Sequence, residues 1–195
     1  MSPADIVAVA FAAVTGYAVG SLPLSAWIAR AAGVGAHRDE GRSPDVPGVW
    51  ELAGPGWGLL ALTADLSKGV LPVAVATVTW SWGAGWAAGL GALVGASWPA
   101  LGRIPGGPGV AVFAGVAFAL APPAGIIAML LALAVAGLAR LTGRHGRIAA
   151  ITAIAVGIGT YTLLFTAAYR DPAGLAALLA LSLVALLGSV STRRS

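Results

Sequence analysis

The chain has 195 residues, 58% of them hydrophobic and only 9% charged, with a mean hydropathy of +0.91. A water-soluble domain carries roughly a quarter charged residues, so the composition excludes one and implies a single all-α polytopic membrane domain over residues 1–195. The net charge of +4 comes from basic residues scattered between apolar runs, which argues against nucleic acid as a partner and for the lipid bilayer.

The chain opens Met1-Ser2-Pro3-Ala4-Asp5, without a basic segment, and its first apolar run is too long for the core of a cleavable signal; it is expected to stay as the first span. Apolar runs cover about 6–29, 56–80, 83–101, 108–121, 124–141, 148–168 and 173–190, giving seven expected transmembrane helices. The fourth and fifth form one tract interrupted by Pro122-Pro123, and two adjacent prolines remove two backbone donors, so a break is expected there. With the N-terminus outside and the C-terminus cytoplasmic, Arg30, Arg38, Arg42, Arg103, Arg140, Arg144, Arg147, Arg193 and Arg194 face the cytoplasm and only Arg170 lies outside. Fusing the fourth and fifth spans would send the Arg140 to Arg147 cluster outward, against the positive-inside rule. Trp80, Trp82 and Trp86 mark the outer interface between the second and third spans. The long inward segment is a cytoplasmic loop at 30–55.

Zero cysteines exclude disulfides, thiolate metal sites and cysteine nucleophiles. The two histidines, His37 and His145, sit beside arginines in polar segments and make a poor ligand set, so no metal and no cofactor are expected.

Three cytoplasmic-side segments hold the candidate chemistry. In Gly20-Ser21-Leu22-Pro23-Leu24-Ser25 the proline frees backbone groups within the membrane, which persists only where the backbone packs in protein or lines a polar cavity. Ser21 then either donates a hydroxyl to a ligand or satisfies the kink. Next, the turn-forming stretch Gly41-Arg42-Ser43-Pro44-Asp45-Val46-Pro47-Gly48 and Gly54-Pro55-Gly56 precede the second span, a Gly-rich approach to a helix N-terminus that suits an anion. Inside that span Asp65 and Lys68 are three residues apart, share a helix face and can pair; they either serve function or tie packed helices together. Lys68 is the one lysine in the chain. Finally, Gly95-Ala96-Ser97-Trp98-Pro99 runs on to Gly106-Gly107-Pro108-Gly109 ahead of the fourth span, with Arg103 as either a phosphate partner or an interfacial anchor.

Taken in order over residues 14–122, these segments resemble the bacterial acyl-phosphate:glycerol-3-phosphate acyltransferases, the PlsY family. Gly20-Ser21-Leu22-Pro23 is similar to its Gly-Ser-Ile/Leu-Pro, Asp65-Leu66-Ser67-Lys68-Gly69 to its Asp-x-x-Lys-Gly, and Trp98-Pro99 with Gly106-Gly107-x-Gly109-Val110-Ala111 to the frame of its third motif. The family's Ser-Gly-Asn-x-Gly-Ala-Thr-Asn-x-x-Arg run is replaced here from Gly41 onward, with Glu51 in place of the arginine; Ala96 replaces a histidine, and Pro105 and Pro108 replace lysines.

The resemblance implies an enzyme of phospholipid biosynthesis in a bacterial-type plasma (inner) membrane. It would transfer an acyl group from acyl phosphate to glycerol 3-phosphate to form lysophosphatidic acid, without a cofactor. Ser21 and Lys68 would carry catalysis, and Arg42, Ser43, Asp65, Arg103, Gly106 and Gly107 would form the substrate-binding set. The substitutions keep a second reading open, a catalytically impaired paralogue that binds lipid or phosphate in a regulatory role. The Asp65–Lys68 pair alone would also suit a transporter, a third reading without internal-repeat support.

Overall fold

The protein is described by a computed structural model over residues 2–34, 45–100, 109–142 and 147–169. Every regular element among these residues is an α-helix: α1 (Pro3–Gly20), α2 (Leu24–Ala31), α3 (Val46–Ala53), α4 (Pro55–Thr79), α5 (Trp82–Ser97), α6 (Val110–Leu120), α7 (Pro122–Leu141) and α8 (Arg147–Tyr169). The expected seventh span, 173–190, lies outside the described residues.

Local chemistry sets the boundaries. At the start of α1, Ser2 Oγ accepts from the Asp5 amide while Asp5 Oδ2 accepts from the Ser2 amide, a reciprocal cap that satisfies two otherwise orphaned donors. The expected first span is interrupted at Ser21-Leu22-Pro23, where α1 ends and α2 restarts one residue after the proline. Pro122-Pro123 acts as expected: α6 stops at Leu120, Ala121 leaves the helical conformation, and α7 begins on Pro122, because a proline in a helix's first turn gives up an amide that would be unpaired anyway.

The 30–55 segment holds more structure than a loop. α2 runs to Ala31, and α3 starts at Val46 because Asp45 is extended and its carboxylate accepts from the Gly48 amide, with Pro47 in the first turn. The turn-forming reading of Asp45 through Gly48 is thus corrected to a capped helix start. Gly54, at φ +89°, then takes a left-handed conformation that joins α3 to α4 without a Cβ clash.

Among the described residues four stretches are long and apolar enough to cross a bilayer: Pro3–Ala31, Pro55–Thr79, Pro122–Ala139 and Thr152–Tyr169. Between them sit α5 and the eleven-residue α6. α1 packs along α5 and α4, α4 along α5 and α6, and α7 along α8. The main core joins α4, α5, α6, α7 and α8 around Val73, Leu93, Val116, Leu120, Tyr161 and Phe165. One end of α5 carries an aromatic chain in which Trp86 meets Phe165 edge-on at 5.4 Å and Phe165 stacks on Tyr169 at 4.7 Å.

The α1–α5 seam is built on backbone. A Cβ on Gly16 would overlap the Ala88 carbonyl, and one on Gly20 the Ala92 carbonyl; from the other side, Gly91 faces the Ala13 carbonyl and Gly95 the Tyr17 carbonyl. Lipid is as apolar as any side chain, so small residues that let two helices touch along their main chains supply the packing that burial alone does not.

Candidate active site

Among the described residues, four buried polar side chains fall on the first helices and the break between them. Ser21, Ser25, Lys68 and Ser97 are all buried, on the α1–α2 break, α2, α4 and the end of α5 respectively. Buried polar groups in an apolar bundle are costly unless paired, so each partner matters.

At the centre lies Asp65. Its Oδ2 accepts a hydrogen bond from Ser25 Oγ at 2.6 Å, and its Oδ1 faces the Lys68 ammonium at 2.7 Å as a charge contact rather than an aligned hydrogen bond. The predicted Asp65–Lys68 pair is therefore formed, one turn apart on α4, with Lys68 only 6% exposed. Asp65 is the one ionic partner of Lys68 among the described residues. An ammonium carries three donors, so the pair leaves Lys68 with capacity for an anion. Four residues on, Pro72 lies buried inside α4 and has no N–H to give the Lys68 carbonyl, which loosens the helix ladder at that turn. Gly69, next to Lys68, lets the α6 main chain approach: a Cβ there would overlap the Val112 carbonyl, and one on Gly115 would overlap the Leu66 carbonyl.

Ser21 lies in the α1–α5 seam. Its Oγ donates to the Tyr17 carbonyl at 2.8 Å, so its proton satisfies the end of α1 while its lone pairs remain free to accept. A Cβ on Gly95 would come within 2.9 Å of that oxygen, which explains the glycine at this position. Nearby, the Tyr17 hydroxyl donates to the Trp98 carbonyl at 3.0 Å and ties the end of α5 to α1. Ser97 Oγ is buried without a hydrogen-bond partner and faces Gly109, whose φ of +67° opens α6 without a side-chain cap. Arg42, Ser43, Arg103, Gly106 and Gly107, the other expected binding residues, lie outside the described residues. Among the described residues there is no cluster of three His, Asp or Glu side chains able to hold a metal.

Ser25, Ser97 and Tyr17 were not singled out from sequence. The available signal was the rarity of hydroxyls beside a membrane proline break and beside Trp98-Pro99; their partners lie on other helices and leave no trace in local spacing.

A family model described as glycerol-3-phosphate acyltransferase matches residues 10–193. The chain belongs to this family. A family member from Rubrobacter xylanophilus, named glycerol-3-phosphate acyltransferase, is 40% identical over 115 residues, a stretch that covers 57% of this chain and 56% of that relative. A second, of the same name and from Erythrobacter litoralis, is 36% identical over 143 residues, 73% of this chain and 72% of its own. The crystal structure of PlsY (YgiH), an integral membrane glycerol 3-phosphate acyltransferase, in its glycerol 3-phosphate form superposes with a TM-score of 0.76 at 25% identity, over 95% of this chain and 90% of that one. Its lysophosphatidic acid form gives 0.75 at 24% identity over 92% and 87%, a likeness of fold. The protein is a multi-pass membrane member of the glycerol-3-phosphate acyltransferase family, and its Asp65-x-x-Lys68-Gly69 lies within the matched residues.

Proposed function

We propose that this protein transfers an acyl group from acyl phosphate to the 1-hydroxyl of glycerol 3-phosphate, releasing inorganic phosphate and forming lysophosphatidic acid. The observation that carries the reading is Lys68, the chain's one lysine, buried in the membrane at an Asp-x-x-Lys-Gly, with Asp65 as its partner and donors to spare. The names of the relatives and the glycerol 3-phosphate form of the solved structure support the substrate.

The donor is already activated, so positioning and charge neutralisation suffice without a nucleophilic side chain. The substrate hydroxyl oxygen attacks the acyl carbon, the bond from that carbon to the phosphate oxygen breaks, and phosphate leaves with the electron pair while the hydroxyl proton passes to it or to water. Lys68 neutralises the departing phosphate, and Ser21, whose proton is held by the Tyr17 carbonyl, accepts from the reacting hydroxyl. Arg42, Ser43, Arg103 and the Gly106 and Gly107 amides bind the phosphoryl groups, and Asp65 holds Lys68. The test is acyl transfer from palmitoyl phosphate to radiolabelled glycerol 3-phosphate by the purified protein beside an intact family member. Product above the no-protein background, abolished by Lys68→Ala, is expected. A folded protein that gives none while the control turns over would instead be the impaired lipid- or phosphate-binding paralogue.

The same reading sets the protein in a bacterial inner membrane with seven spans, the N-terminus outside and residues 30–55 facing the cytoplasm, as the distribution of arginines favours. A cysteine introduced at Ser43 is then expected to resist a membrane-impermeant thiol reagent added to intact cells. Labelling from outside would reverse the topology.

A further inference from the structure

Ser25 contributes nothing to the first segment's motif, yet it is 8% exposed and makes the shortest hydrogen bond to the ion pair, 2.6 Å to Asp65 Oδ2 across forty residues of sequence. The carboxylate is thereby divided, one oxygen on the Ser25 hydroxyl and the other on the Lys68 ammonium. Two nearby donors share one half-buried carboxylate, and removing one turns more of the acceptor's demand on the other. The hydroxyl comes from α2, beyond the proline break, while the ammonium comes from α4, so this bond also ties the placement of α2 to the reach of Lys68.

We propose that Ser25 is a positioning residue for the acyl transfer: by occupying Asp65 Oδ2, it keeps the carboxylate from closing both oxygens on Lys68 and so leaves the ammonium available to a phosphoryl group. This rests on the function proposed above, but its central claim, the availability of Lys68, can be read without turnover. Because Lys68 is the one lysine, modification of its ε-amine by a small acylating reagent is followed by mass spectrometry on the Lys68 peptide, separately from the N-terminal amine.

Ser25→Ala is expected to slow labelling of Lys68 by about fivefold, and Ser25→Thr, which restores the hydroxyl, to return it toward the wild-type rate. In the transfer assay Ser25→Ala is expected to raise KM for a phosphate-bearing substrate by about tenfold with a smaller change in kcat, again recovered in Ser25→Thr. Labelling at or above the wild-type rate in a folded Ser25→Ala protein overturns the proposal, as does a loss of thermal stability with labelling and KM unchanged. If the wild type shows no acyl transfer while Ser25→Ala still slows labelling, the assignment of function fails and the claim that Ser25 keeps Lys68 available stands.

Discussion

Asp65 and Lys68 hold each other in a place where neither tolerates isolation. Removing one partner of a buried ion pair leaves an uncompensated charge, which costs about 3 kcal/mol or more. Lys68→Met is therefore expected to destabilise the protein by about that amount, measured as a fall in Tm in detergent, whereas Asp65→Asn combined with Lys68→Met loses less than the two single changes added together. Additive losses would show that the pair contributes nothing as a pair. The ion pair was legible because two charges three residues apart in an apolar run have few other ways to be satisfied. Ser25 was not, because its contact crosses forty residues and a serine near a proline break has a local explanation ready to hand. Ser21 shows the converse: its hydroxyl reads from sequence as a donor to a ligand or as satisfying the kink, and its proton goes to the Tyr17 carbonyl.

Between helices, glycine decides what can approach. Gly20→Leu would drive a side chain into the Ala92 carbonyl, backbone that cannot move aside, and is expected to cost about 3 kcal/mol and part α1 from α5. Gly159→Ala on α8 meets nothing within 4 Å and is expected to be neutral or to stabilise by about 0.5 kcal/mol, since alanine restricts the unfolded chain at no steric cost. A thermal-shift comparison of the two checks both, and a Gly20→Leu protein as stable as wild type would remove the seam from the account. The helix ends were unevenly legible. The Pro122-Pro123 break followed from missing amides. The first turn of α3 falls in the turn-forming stretch 41–48, where proline and glycine read as breakers, although Asp45 followed two residues later by proline is also a helix start.

Across the molecule, continuous apolar runs of about 20 residues were enough for an all-helical membrane bundle, since a spanning strand needs only about half that length. The arrangement of helices was not: which glycine meets which carbonyl depends on crossings between segments as distant as Gly20 and Ala92. The described residues also refine the expected spans, because four stretches have spanning length and α6 has eleven residues. At 1.5 Å per residue α6 rises about 16 Å, roughly half the thickness of a hydrocarbon core. Part of it faces outward, with Phe118 exposed. Hydrophobic mismatch on that flank leaves the bilayer to thin, or the Ala121–Pro122 junction to sit below the headgroups, and either response has a cost that grows with membrane thickness. Reconstituted in vesicles of short- and long-chain phosphatidylcholine, the protein is expected to be more stable in the thinner membrane, and equal stability in both would show that neighbouring helices screen α6 from lipid. For a protein whose proposed product is destined to become membrane lipid, the acyl chains it helps to install would then feed back on the helix that stands beside Lys68.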